Sequence, residues 1–466
     1  MKLFKRFSFR GKIDKSSARK QQFIAQKISR RYCFSAVSLF ALQSVVASLG
    51  ALELVIPDLP SPIPFEYGRA IHLALAVLWP LIGTMGMVYF FTTAELNREI
   101  YSPRLARWQY WLVMFFSLGV FSTLALRIGN GREYLEGIPI LYVGICISLI
   151  LASYNLVRTL LTDKRNITPA AATMTVGVIF LMLLLLPNTI TFSNPITDEA
   201  TKFWVVHLWE EMAFELTSAG FIATYFIVSG LAPRTEVEKW LYLEAVLAVV
   251  GGLYGTGHHY YWIGFPAVWL VLGSLVSLVE VIPVGMLVRM TYKGLKSTKI
   301  RSNREKLTLW LLLSSVFHHI IGASLLGLFL TVPWINLYTH GTYITSGHAH
   351  LALFGSLGFA VLAGCYYILS QGSQPTLKGY KGGVLAVILL NSGLIIMSSA
   401  LLVAGFMETY FWRILGMDFM QVRFILKPYL SIRALGGAIF TLGDLLLSWR
   451  IFKAWQATRS YRQPKI

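Results

Sequence analysis

Thr339-His-Gly-Thr-Tyr-Ile-Thr-Ser-Gly-His-Ala-His350 is a polar lead-in to a long apolar run. His348 and His350 stand just inside that run. Two helical residues separated by two positions point roughly 200° apart around the axis, so one metal ion cannot easily take both rings. Each ring can instead hold a different group on its own side of the helix. A histidine inside a membrane span is costly to keep and is a candidate functional residue.

The composition places this helix in a bilayer. The chain has 466 residues, 55% hydrophobic and 14% charged, with a mean hydropathy of +0.60. Those values exclude a soluble globular domain and predict an all-α polytopic membrane protein. Apolar runs of spanning length fall at about 33–56, 70–92, 109–128, 139–162, 169–187 and 202–231. Six more follow at about 242–262, 267–293, 308–331, 345–371, 385–409 and 431–452. The expectation is a single bundle of about twelve transmembrane helices. The 13 Trp and 22 Tyr suit aromatic belts at the two interfaces. Cys33, Cys146 and Cys365 are too widely spaced for a disulfide framework, a zinc site or covalent haem attachment, and read as small core thiols.

Charge sets the orientation. Residues 1–31 carry eleven Lys or Arg against Asp14 alone, out of a net charge of +19. Ahead of a membrane span, such a stretch reads as a cytoplasmic anchor rather than a nucleic-acid arm. Arg98, Arg104 and Arg107 follow the second span, and Lys293, Lys296, Lys299, Arg301 and Arg304 follow the eighth. The connections after the seventh and ninth spans hold no Lys or Arg. Both termini are therefore expected in the cytoplasm. The organisation becomes a basic tail over 1–32, a membrane domain over 33–452 and a second tail over 453–466.

This topology brings histidines to one depth. His72 lies near the outer start of the second span and His207 near that of the sixth. His258 and His259 end the seventh, and His348 and His350 begin the tenth. A lone histidine is usually a hydrogen-bonded core residue, but six at one level point to ligands. His207 and Glu211 are four apart on one helix face, and the His258-His259 pair ends the next helix. Three imidazoles and a carboxylate suit a non-haem metal with an open position, and the hard oxygen favours iron over copper. Either His348 or His350 ligates one haem axially, while the other pairs with His72 across a second, six-coordinate haem.

At these residues the chain resembles the large, catalytic component of bacterial nitric oxide reductase, in the haem-copper oxidase superfamily. The resemblance lies in Arg69-Ala-Ile-His72, residues 96–103, Gly131-Arg-Glu-Tyr-Leu-Glu136 and His207-Leu-Trp-Glu-Glu211. It continues through Glu238-Lys-Trp-Leu-Tyr242, residues 255–264 and residues 338–352, and covers most of 65–370. The first 64 residues and the last two spans add only topology. The resemblance implies that His72 and His350 hold a low-spin haem b and that His348 is the proximal ligand of haem b3. It implies that His207, His258, His259 and Glu211 hold non-haem iron. Glu280 matches a second buried glutamate beside that centre, and Glu215, one turn beyond Glu211, lines the same polar cavity. Glu133 and Glu136 match outer-face acids linked to calcium and to proton uptake. Arg69 and His340 fall where haem propionates are met.

The implied reaction is reductive coupling of two NO to N2O in a bacterial inner membrane. With no c-haem motif and no large outer N-terminal domain, electrons are expected from a membrane-anchored cytochrome c subunit. The family usually has apolar or small residues where this chain has Glu210. The second adjacent pair, His318-His319, lies mid-helix and is read as interhelical hydrogen bonding. The rival is a haem-copper oxidase reducing O2, which needs copper and usually a tyrosine cross-linked to a ligating histidine; Tyr254, one turn before His258, is the obvious candidate. A transporter or a simple electron carrier leaves His207, His258 and His259 unexplained.

Overall fold

In a bilayer a spanning segment must satisfy its own backbone N–H and C=O groups, so long apolar runs become helices. The computed structural model describes residues 23–56, 59–61, 63–132, 134–297, 302–373 and 375–460. Twelve helices follow the twelve apolar runs. They are α1 (Ile24–Glu53), α2 (Phe65–Leu96), α3 (Pro103–Ala125), α4 (Pro139–Leu161), α5 (Pro169–Leu185) and α6 (Pro195–Ser229). Then come α7 (Arg234–His259), α8 (Val268–Lys296), α9 (Asn303–Thr331), α10 (Tyr343–Leu369), α11 (Leu377–Ile414) and α12 (Phe419–Thr458). Eleven are long and apolar enough to cross a membrane, whereas α5 has only 17 residues. The described residues contain no strand.

The helix ends differ from the sequence boundaries. α1 begins at Ile24, so Lys27, Arg30 and Arg31 belong to the helix and not to a tail ending at 32. Long basic side chains allow this, because their stems lie along the apolar surface while the heads turn outward. The Arg30 guanidinium donates to the Gln371 carbonyl at 3.2 Å. α12 likewise runs past 452 to Thr458. Residues 1–22 of the basic tail lie outside the described residues.

α2 is the most buried span, followed by α6 and α10. Small residues permit this: a Cβ at Gly86 of α2 would meet Tyr32 Cβ of α1 at 2.7 Å. All three cysteines are buried free thiols, as their positions suggested. The rim helices α3, α8, α9 and α12 turn large apolar side chains such as Phe115, Leu275 and Leu442 outward.

Several helices depart from α geometry where the polar residues lie. α6 carries a π segment at Trp209–Phe214, α9 one at His319–Leu326, and α10 one at His350–Gly358. Such segments occur frequently at functional sites because they shift side chains off the regular helical register. α7 ends in a tight 3-10 turn over Thr256–His259. α8 is interrupted at Glu280. Pro283, three residues on, has no N–H to offer the Val279 carbonyl, which accounts for the break.

Candidate metal centre

The 3-10 turn swings His258 and His259 against His207 of α6. One ring nitrogen from each of the three lies within 4.8 Å of the others. Ring centroids stand 5.0 Å apart for His207–His258, 5.1 Å for His207–His259 and 4.3 Å for the adjacent pair. Glu211 Oε2 is 3.4 Å from His207 Nε2, close but not aligned as a hydrogen bond. Neither ring nitrogen of His207, nor Nδ1 of His258, has a hydrogen-bond partner among the described residues. Buried imidazoles normally find one. Unpartnered nitrogens converging beside a carboxylate fit a bound cation.

α10 begins at a defined point. Gly341 takes φ +76°, Thr342 caps the helix through its hydroxyl, and Glu408 of α11 accepts the Tyr343 N–H at 2.8 Å. The two α10 histidines then face different neighbours. His348 Nδ1 donates to the Gly322 carbonyl in the π segment of α9 at 3.0 Å, which frees Nε2. Its surroundings include Glu211, and it neighbours His258 and His259, as does His340. His350 Nδ1 donates to the Ser346 carbonyl at 2.7 Å, and its ring stacks opposite His72 of α2 with centroids 6.3 Å apart and planes 20° from parallel. Two imidazoles on opposite sides of one iron need roughly that separation, at about 2 Å per metal–nitrogen bond.

Around this pair lie residues whose roles the sequence did not disclose. Gln43 of α1 donates to the His72 carbonyl at 3.3 Å. Arg433 of α12 neighbours both rings and has buried Nε and Nη1 atoms with no partner among the described residues. It suits an anionic group, such as a haem propionate, better than Arg69, whose guanidinium meets Glu136 at 3.3 Å. Gln43, Glu408 and Arg433 come from the first and last two spans, which therefore supply more than topology. Their only sequence signal was a polar group inside an apolar run. The His340 carbonyl accepts from Arg413 at 3.4 Å. Glu133 lies outside the described residues.

Glu280 reaches back to the metal cluster. Its Oε1 lies 1.6 Å from the place a Cβ on Gly251 would take, so the carboxyl occupies a notch that only glycine leaves open. One turn along α7, the Cβ position of Gly255 is 3.4 Å from Ser277 Oγ, 3.5 Å from His207 Nε2 and 3.7 Å from Glu280 Oε1. Three polar atoms from two further helices thus surround one point. Glu215 has Glu244 of α7 nearby, a buried residue with no evident role in the sequence. Glu210 sits on the same π turn as Glu211; the cluster itself is made of the three histidines, and only Glu211 of the two approaches it, through His207.

The tyrosines near the cluster are committed elsewhere. Tyr254 is 48% exposed on the outside of α7. Tyr260 donates to the Ala200 carbonyl at 3.3 Å, and Tyr261 to that of Thr331 at 3.1 Å.

Two histidine constellations on α2, α6, α7 and α10 of a helical membrane bundle are the arrangement of a redox protein built for haem and a further metal. Residues 27–439 match the family described as Cytochrome C and Quinol oxidase polypeptide I, and the chain belongs to it. It is an oxidoreductase of the haem-copper oxidase superfamily. It is 29% identical to a nitric oxide reductase subunit of Stutzerimonas stutzeri over 450 residues, covering 91% of this chain and 93% of that one. It is 24% identical to the Cbb3-type cytochrome c oxidase subunit CcoN1 of the same organism, over 92% of this chain and 97% of that one. A haem-copper terminal oxidase dimer solved by cryo-electron microscopy shares the fold with a TM-score of 0.73 at 14% identity, covering 96% of this chain and 85% of that one.

Proposed function

We propose that the chain is the catalytic subunit of a nitric oxide reductase, which takes two NO, two electrons and two protons to N2O and water. The observation that carries this reading is the carboxylate: Glu211 stands at the three-histidine cluster, with Glu280 behind it, while Tyr254 points away. An oxygen ligand suits iron, and an oxidase of this superfamily needs copper and usually a tyrosine at the cluster.

His72 and His350 would hold the low-spin haem b, His348 haem b3, and His207, His258, His259 and Glu211 the non-haem iron. The paired metals supply electrons and two binding positions for NO. The protein's own part is to hold those positions together and manage protons. The Gly322 and Ser346 carbonyls fix the tautomer and direction of His348 and His350. Glu280 is lodged beside Gly251 and near His207, and in this reading it would hand protons inward. The named relatives are subunits of larger enzymes, which supports a membrane-anchored cytochrome c subunit as the electron donor. The loop charges support cytoplasmic termini, and the bacterial relatives support a bacterial inner membrane.

The test is metal and haem analysis of the purified chain together with NO consumption from an artificial donor. Two haems b, one further iron and N2O as product are expected. One copper with O2 consumption would replace this reading by the terminal oxidase, which the oxidase relatives favour.

A further inference from the structure

The stretch of α10 that carries its two histidines is cut off at both ends. Tyr343–Ala349 is regular α-helix, preceded by the turn at Gly341 and followed by the π segment that opens at His350. A π segment interrupts the regular helical repeat, so the rest of the span does not by itself fix where His348 and His350 point. By helical rise His348 lies about 7.5 Å beyond Tyr343 and His350 about 10.5 Å beyond it. Whatever holds the Tyr343 end therefore acts on both.

That hold comes from α11. Buried Glu408 accepts the Tyr343 N–H at 2.8 Å. Thr409 Oγ1 donates to the Tyr338 carbonyl at 3.3 Å, and Arg413 to that of His340 at 3.4 Å. The two backbones also nearly touch. A Cβ on Gly405 would collide with Ile344 N, and one on Gly347 would stand 3.1 Å from Leu402 and 3.3 Å from the Ser398 carbonyl. Thr409 and Arg413 grip the preceding loop, whereas Glu408 grips the first N–H of the helix itself. The first N–H groups of a helix have no partner within it and carry the positive end of its dipole, so a carboxylate makes a strong, charge-assisted bond there. The two histidines depend on this grip unequally. His348 Nδ1 has a second anchor on α9, the Gly322 carbonyl at 3.0 Å. His350 Nδ1 donates to the Ser346 carbonyl of its own helix, a bond that travels with the helix.

We propose that Glu408 is a positioning residue that sets how His350 faces His72, and through that pair the geometry of the low-spin haem. His348, held independently by α9, answers to it much less. The quantity Glu408 maintains is the present arrangement of the two rings, 6.3 Å apart and 20° from parallel. The proposal rests on the haem assignment above.

Electron paramagnetic resonance of the oxidised, haem-loaded protein reads that arrangement, because a low-spin ferric signal depends on the angle between its two axial imidazole planes. Glu408→Gln keeps an oxygen for the Tyr343 N–H and should retain the wild-type low-spin signal and midpoint potential. Glu408→Ala should shift both, leave the haem b3 signal in place and lower turnover about 10-fold. Amide hydrogen exchange over residues 343–350 should quicken in Glu408→Ala and not in Glu408→Gln. A wild-type low-spin signal and potential in Glu408→Ala overturns the proposal. So does an equal disturbance of both haems, which a general loss of packing would give. If Glu408→Ala does not fold, Glu408→Asp, which draws the carboxylate back by one methylene, must shift the low-spin signal alone, and an unshifted signal there overturns the proposal equally. If the spectra behave as expected but the wild type consumes no NO, the nitric oxide reading fails and the positioning role stands. A wild type without any bis-histidine low-spin signal removes the haem assignment and the proposal with it.

Discussion

The chain contains two His-His dipeptides, and they do opposite things. His258-His259 ends a helix in a 3-10 turn, where neighbouring side chains fall on one side and both reach His207. His318-His319 sits mid-span at the start of a π segment and its rings diverge. His318 Nε2 meets Asn391 Oδ1 of α11 at 3.0 Å and stacks on Phe359 with planes 3° from parallel. His319 Nδ1 meets Ser356 Oγ of α10 at 3.0 Å. The dipeptide alone carries no chemistry. Backbone geometry decides whether two adjacent imidazoles converge, and available hydrogen-bond partners decide whether they are free to bind.

The sharpest break of this comparison is His258→Ala. It removes one of three imidazoles, so metal affinity should fall by more than the roughly 10–100-fold that a supporting residue costs. Elemental analysis should show loss of the non-haem metal with haem retained, and NO consumption should vanish. Retention of that metal would undo the assignment. Next comes Glu280→Gln, expected to keep haem content and lower turnover about 100-fold, within the range for a proton-transfer group. Unchanged NO consumption would remove Glu280 from the mechanism.

Gly251→Ala places a methyl where Glu280 Oε1 now lies and should slow turnover about 10-fold by displacing that carboxyl. Added to Glu280→Gln it should cost little more, since both act through one group. Additive losses would show that Gly251 acts some other way. The smallest effect belongs to the second pair. His318→Ala leaves Asn391 short of a partner and should cost about 1–3 kcal/mol of stability, read as a lower thermal midpoint, with metal content intact. Loss of a metal in that variant would make the two dipeptides alike after all.

The same contrast shows what sequence could and could not reveal. Apolar run length located twelve helices, because backbone satisfaction in lipid leaves few alternatives. Helix ends were less legible: Lys27, Arg30 and Arg31 read as a tail but ride inside α1. Regular helical spacing placed His348 and His350 on different sides and grouped His207 with Glu211. It gave no means to see Arg433 near His72, or Glu244 near Glu215, because those residues come from different helices. Gly251 was invisible for a different reason. A glycine in an apolar helix looks like packing until a carboxyl is found in its notch.

The short helix α5 has a consequence of another kind. At 17 residues it is about 26 Å long, against a hydrocarbon layer of about 30 Å. It packs on α6 and on the π turn that bears Glu211. Local thinning of the lipid is one way a bilayer meets so short a helix, and it would load the flank nearest Glu211. Acyl-chain length is therefore a physical variable for this enzyme, and bilayers of graded thickness offer a way to load one wall of the metal centre without altering a residue.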